Sequence, residues 1–180
     1  MLKIAANLIG RFTLDAIAEL GRMSLFFVRT ISQTFRPPCE IRLVLEQLRF
    51  VGARSVVVIT IAGTFVGMVV ALQFYDTLVR FGSVGLLGSA VGLSLVRELG
   101  PVLTALIIVG RAGSATCAEI GIMRNDNQID ALECMAIDPY RYLFAPRFIA
   151  FIISVPLLTA IFVTVGLFGG WLIGVGIFDL

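Results

Sequence analysis

Val96-Arg97-Glu98-Leu99-Gly100-Pro101 drops two charges into an otherwise uncharged apolar run. No charged residue occurs from Val84 to Leu95, and none from Leu99 to Gly110. At the centre of a bilayer helix an ionisable side chain costs roughly 2.5–3.5 kcal/mol on insertion scales, so it is kept mainly where it faces a polar pathway or a partner. The run therefore reads as a membrane span, and its charged pair is the first candidate for function.

The rest of the chain agrees with that reading. Of 180 residues, 58% are hydrophobic and only 14% charged, with a mean hydropathy of +1.00. So much apolar surface points to an integral membrane protein and away from a soluble domain. Apolar windows cover about residues 55–74, 84–110 and 148–178, each long enough for the roughly 20 residues a span needs. The second window exceeds a straight crossing and is expected to tilt, bend or extend into water.

Lys and Arg are unevenly placed. Residues 1–54 carry eight of the 14, the loop after the first window carries only Arg80, and residues 111–147 carry four. Positive-inside reasoning puts the N-terminus and the 111–147 segment in the cytoplasm, with Tyr75–Ser83 and Leu180 outside. Residues 8–31 show helical spacing: Ile9, Phe12, Ala16, Leu20, Met23, Phe27 and Ile31 share one face. Arg11, Asp15, Glu19, Arg22 and Arg29 cluster opposite, which predicts an amphipathic helix in the membrane interface and not a cleaved signal. Phe35-Arg36-Pro37-Pro38 is expected to end it.

Common catalytic and metal chemistries are poorly supplied. The chain has no histidine, which excludes the usual His-based triads and zinc sites, and it has no Walker-type phosphate loop. Cys39, Cys117 and Cys134 show no metal-like pairing and read as reduced structural thiols. Neither a metal nor a nucleic-acid partner is expected.

Gly63-x-x-x-Gly67 and Gly166-x-x-x-Gly170-x-x-x-Gly174 put glycines on one helix face, where another backbone can approach closely, either within the subunit or between subunits. Pro101 and Pro156 are expected to kink or break their spans, freeing carbonyls near Glu98. Arg97 and Glu98 project about 100° apart on a helix and cannot pair well with each other. Their partners are another helix, a second subunit, water or a headgroup; a buried interhelical ion pair that only fixes packing is the alternative. Around residues 128–136, Ile129, Leu132, Met135 and Ala136 alternate with Asp130 and Glu133. This predicts a short acidic amphipathic helix, ended by Asp138-Pro139, able to seat in a groove of a soluble partner.

These residues closely resemble the MlaE (YrbE) family of ABC-transporter permeases. The resemblance runs through Arg97-Glu98-Leu99-Gly100-Pro101-Val102, Thr104-Ala105-Leu106, the Gly-Arg-x-Gly-Ser-Ala run at 110–115, and Ala118-Glu119-Ile120-Gly121. It continues in Gln128-Ile129-Asp130-Ala131-Leu132, Asp138-Pro139 and Pro146-Arg147. It implies an all-α integral membrane protein with one permease domain over 1–180: interfacial helices in 1–50, spans at 55–74, 84–110 and 148–178, and a coupling helix within 111–147. Family members continue for about two more spans, so the chain is expected to be a shortened piece or a divergent short form.

The resemblance also implies a role. The permease is a homodimer in the bacterial inner membrane that moves phospholipid between inner and outer membranes, with ATP-Mg held by separate ATPase subunits. A periplasmic MCE-domain ring and, in some systems, a STAS-domain subunit complete the assembly. Arg97 and Glu98 would line a substrate cavity walled by Val70, Gln73, Leu78, Phe81 and Leu99, with the Arg97 guanidinium on the headgroup phosphate. Coupling to the ATPase would fall to Glu119, Arg124, Gln128, Asp130, Leu132, Glu133 and Met135. No catalytic residue and no cofactor is expected in this chain. The alternatives are a non-transporting membrane scaffold held by the glycine faces and a lipid-headgroup enzyme using Arg97, Glu98, Glu119 and Asp130.

Overall fold

Helices make up nearly all of the computed structural model, which describes residues 2–34 and 41–177, and the side chains of these apart from 2–9 and 12. The Phe35–Pro38 break, Cys39, residue 178 of the third window and the side chains of Ile9 and Phe12 lie outside the described residues. The elements are α1 (Leu2–Thr34), α2 (Ile41–Arg80), α3 (Val84–Asn125), α4 (Gln128–Cys134) and α5 (Tyr140–Gly176). Three of them, α2, α3 and α5, are long and apolar enough to cross a membrane.

These three run well past the apolar windows. α2 is 40 residues and α3 is 42, about 60 Å each at 1.5 Å per residue, twice the hydrocarbon core. The expected boundary near residues 50–55 is a π-helical turn, Arg49–Ala53, inside a continuous helix. The second span does not stop at Gly110 either, because a π turn at Val109–Gly113 carries it on to Asn125. α5 likewise begins at Tyr140, in a π turn, eight residues before the third window.

Burial recurs at every fourth residue. In α2 the stripe is Val51, Ser55, Ile59, Gly63, Gly67 and Ala71; in α5 it is Pro146, Ala150, Ser154, Leu158, Phe162, Gly166, Gly170 and Gly174. Such i±4 rows are inclined to the helix axis and pack against one another in the commonest helix-crossing class. α2 and α5 form the most extensive interface of the fold. A Cβ on Gly67 would fall 1.9 Å from the Gly166 carbonyl oxygen, and one on Gly169 would fall 2.5 Å from that of Thr64. The glycine faces therefore pack α2 on α5 within the chain, backbone against backbone. Leu, Ile and Phe side chains on the outer faces (Ile61, Phe65, Leu106, Ile152, Leu157, Phe168) are exposed, as lipid contact requires.

Neither Pro101 nor Pro156 ends its helix. The expected disruption around Pro101 is a further π turn, Leu95–Leu99, placed just before it. α1 packs its last turns on the start of α5, with the Phe26 ring 4.8 Å from Phe144 and Phe27 5.9 Å from Phe148, both edge-on. From Arg11 to Arg29 every side chain described on α1 is exposed, its apolar face included.

Candidate substrate and coupling sites

The π turn at Leu95–Leu99 builds the first site. The buried stripe of α3 runs Leu87, Val91, Leu95, then Gly100, Thr104, Ile108, Ala112 and Thr116. One five-residue step, Leu95 to Gly100, interrupts the steps of four. That step is the π turn, whose ladder is closed by the Gly100 N–H donating to the Leu95 carbonyl. The extra residue keeps both halves of the helix facing the core while Val96, Arg97 and Glu98 bulge to the outer side, all exposed.

Gly100 is what the geometry demands. A Cβ there would meet the Leu95 carbonyl oxygen at 2.5 Å and Val163 Cγ2 at 2.6 Å, so a side chain would push the turn off α5. Pro101 follows where the ladder is already shifted by one residue, so its missing donor coincides with the bulge.

Arg97 and Glu98 make no ion pair and no side-chain hydrogen bond with any described residue. Packing within the chain therefore does not account for the pair. Of the expected cavity wall, Gln73 and Phe81 are exposed, and Leu78 and Leu99 are half-buried against the core. Val70 is 7% exposed and belongs to the core cluster itself, facing no open surface. Leu78 and Phe81 lie at the C-terminal end of α2 near the start of α3, about 20 Å along that helix from Arg97. Any one molecule that touched both would have to be long.

The second site lies at the other end of α3. α4 follows Asn127, whose φ of 54° turns the chain, and its apolar residues Ile129 and Leu132 line a cleft with Met123, Tyr142 and Leu143. Gln128, Asp130, Glu133 and Met135 are exposed. Arg124 is held by Asp130 at 2.9 Å, an exposed pair that fixes the α3–α4 corner. α4 ends earlier than expected: the Ile137 N–H donates to the Leu132 carbonyl and the Ala136 N–H to that of Glu133. That is the Schellman pattern, with Ala136 at φ 59°, and Asp138-Pro139 begins the next element instead. The Asp138 carboxylate accepts from the Tyr140 N–H at 2.9 Å and so caps α5.

Glu119 is not on α4. It sits near the end of α3 and binds Arg147 at 3.1 Å. Arg147 is 5% exposed, and its Nη1 is buried without a partner. A parallel tie joins α3 to α2: Arg111 Nη1 donates to Ser55 Oγ at 2.6 Å, and Ser55 donates to the Val51 carbonyl. Sequence reasoning assigned neither Arg147 nor Arg111 a role, although both stand in the quoted motif runs. No group of three or more Asp, Glu or Cys side chains able to hold a metal occurs among the described residues.

The profile of the Permease MlaE family matches residues 44–180, which contain both sites. The chain belongs to the MlaE permease family. It is 42% identical to the intermembrane phospholipid transport system permease protein MlaE of Haemophilus influenzae, over 93% of this chain and 64% of that protein. A probable ABC transporter permease protein of Rickettsia prowazekii is 42% identical over 97% of this chain and 67% of its own length. The chloroplastic protein trigalactosyldiacylglycerol 1 of Arabidopsis thaliana is 40% identical over 68% of this chain and 35% of its own. The chain thus spans just under two thirds of the Haemophilus MlaE relative. Family membership and the three apolar helices make it a multi-pass membrane protein of the MlaE type.

Proposed function

We propose that the chain is the permease subunit of an ABC transporter that moves phospholipid between membranes, driven by a separate ATPase. The observation that carries this reading is the exposed, unpaired Arg97 and Glu98 on a π bulge inside an apolar span. Acyl chains need an apolar path, and a headgroup phosphate needs a cation within hydrogen-bonding reach. The guanidinium fork of Arg97 suits phosphate oxygens, while Glu98 balances that charge when lipid is absent or meets an amine headgroup. Gln73, Leu78, Phe81 and Leu99 supply the longer wall.

In this reading the chain works as a homodimer in the bacterial inner membrane, with its N-terminus in the cytoplasm. The acidic α4 docks in the ATPase, where ATP-Mg binds, and closure of the ATPase pair moves α4 and squeezes the cavity. An MCE-domain protein receives or delivers lipid on the periplasmic side, and a STAS-domain subunit joins in some systems. The lipid passes through without a bond being broken, so the chain itself needs no catalytic residue.

The test is co-purification from membranes with the neighbouring subunits co-expressed, followed by lipid mass spectrometry. The expected result is recovery of an ATPase and bound phospholipid, with lipid lowered by Arg97→Ala and ATPase lowered by Asp130→Arg. A chain recovered with neither would overturn the reading and leave a scaffold held by its glycine faces.

A further inference from the structure

Between α1, the end of α3 and the start of α5 lies an open cleft of about 730 Å³. Its floor is aromatic: Phe26 packs on Phe144, and Tyr140 sits 5.6 Å from Phe26 and 5.8 Å from Phe144. Arg22 and Arg29 line its α1 side. Residues 22, 26 and 29 follow the i, i+4, i+7 spacing of one helix face, so the two guanidinium groups flank the Phe26 ring.

Both arginines are exposed, and neither is ion-paired with a described residue. The nearby acids make no ion pair with them. Asp138 lines an adjoining cleft with Arg29, but its oxygens accept from Gln33 Nε2 at 3.2 Å and from the Tyr140 N–H. Glu19, one turn before Arg22, makes no ion pair with it. The cleft therefore combines two cations that pair with no described residue and an apolar floor. It is continuous with the exposed apolar side chains of Leu20, Met23 and Phe27 on α1.

We infer that this cleft is a binding site for an anionic diacyl phospholipid of the surrounding leaflet, held by Arg22 and Arg29 at its phosphate and by Phe26, Phe144 and Met23 along its chains. Charge complementarity selects the occupant: basic pockets beside membrane helices recognise acidic headgroups, and a soluble acidic ligand would leave the aromatic floor wet. The site is separate from the π bulge. Ile120, on its α3 wall, is about 34 Å along the helix from Arg97, more than the thickness of the hydrocarbon core. A lipid there bridges α1 to α5, fastening the interfacial helix without being transported. The inference requires that the chain sits in a membrane but does not depend on transport.

The full chain would be reconstituted in nanodiscs of equimolar phosphatidylglycerol and phosphatidylcholine, and lipids retained after transfer to detergent counted by native mass spectrometry. Phosphatidylglycerol is expected to be retained over phosphatidylcholine by up to about thirtyfold, two arginines each favouring the anion by about fivefold. Arg22→Ala/Arg29→Ala should abolish the preference, Arg22→Lys/Arg29→Lys should keep part of it, and Arg11→Ala, on the same helix but outside the cleft, should leave it intact. All three positions are exposed, and unchanged thermal unfolding in detergent would confirm that each variant folds. Equal retention of the two lipids, a preference untouched by the double alanine variant, or displacement by millimolar inorganic phosphate would each overturn the site. Loss of preference in Arg97→Ala alone would assign the retained lipid to the π bulge instead.

Discussion

Nη2 of the buried Arg147 lies 3.1 Å from Oε1 of the half-exposed Glu119, so one ion pair joins the first turns of α5 to the far end of α3. The two partners are unequal. Truncating Glu119 strands a buried guanidinium that water cannot reach, whereas truncating Arg147 leaves a carboxylate that water can solvate. Glu119→Ala should cost about 3 kcal/mol, the low end for a broken buried pair because Glu119 is partly wet. Adding Arg147→Met should recover part of that loss. Unfolding in detergent monitored by circular dichroism would check both; equal stabilities for the single and double variants would count against the argument.

The glycine interface gives a graded series. Gly67→Ala would drive a methyl into the Gly166 carbonyl and should cost at least the 1–3 kcal/mol typical of overpacking. At Gly174 the nearest atom to a new Cβ is Leu87 Cδ2 at 3.8 Å, so Gly174→Ala should be close to neutral. Expression level and melting temperature, compared across the two variants, read the difference directly.

Stability and function should separate at the π bulge. Arg97 is exposed and makes no ion pair or side-chain hydrogen bond with a described residue, so Arg97→Ala should shift stability by less than about 0.5 kcal/mol. Losing a charge-assisted contact to phosphate, however, removes about 1.5–3 kcal/mol, a ten- to hundredfold fall in lipid held at that site. Melting temperature and lipid transfer between liposomes in the assembled transporter measure the two effects separately.

Ala136 adopts φ 59° at the end of α4, a conformation that costs an L-residue roughly 1–2 kcal/mol and glycine almost nothing. Ala136→Gly should therefore stabilise the chain by about 1 kcal/mol, less the extra freedom glycine has when unfolded. Hydrogen exchange at the Ile137 amide, which closes the Schellman bond to Leu132, should slow correspondingly.

Asp130 and Arg124 form an exposed pair worth about 0.2–1 kcal/mol. Asp130→Arg should thus leave the melting temperature nearly unchanged while cancelling the net negative charge that Asp130 and Glu133 give α4. If α4 seats in an ATPase groove, ATPase recovery in a pull-down should fall by tenfold or more. Full recovery would show that the acidic face is not part of the docking surface.

Much of this architecture is written in composition. Three apolar windows gave three spans, and glycines at four-residue spacing in two of them mark the face on which α2 and α5 meet. The π turn at 95–99 was not readable, and the reason is physical. In water a buried stripe stands out because the opposite face is polar, but here Leu93, Val102 and Leu106 face lipid and are as apolar as Leu95 or Ile108. Periodicity carries little signal when both faces are greasy, so an inserted residue leaves no trace except the charges it displays. The length of the helices was hidden for a related reason: small residues and the charged Arg111 in Gly110–Ala115 continue the helix without extending the apolar window. The Glu119–Arg147 tie joins residues 28 positions apart in sequence, and no local spacing rule anticipates it.

The five-residue step from Leu95 to Gly100 has an evolutionary consequence. The residues that hold α3 in place keep one face of the helix before and after the step, and the displayed residues 96–98 lie within it on the other face, so the two sets can change independently. On the function proposed for the pair, a lineage could exchange Arg97 or Glu98, and with them the headgroup it favours, while the buried stripe that packs α3 stays unchanged. The bulge would then make selectivity a surface trait of a protein whose surface lies inside the membrane.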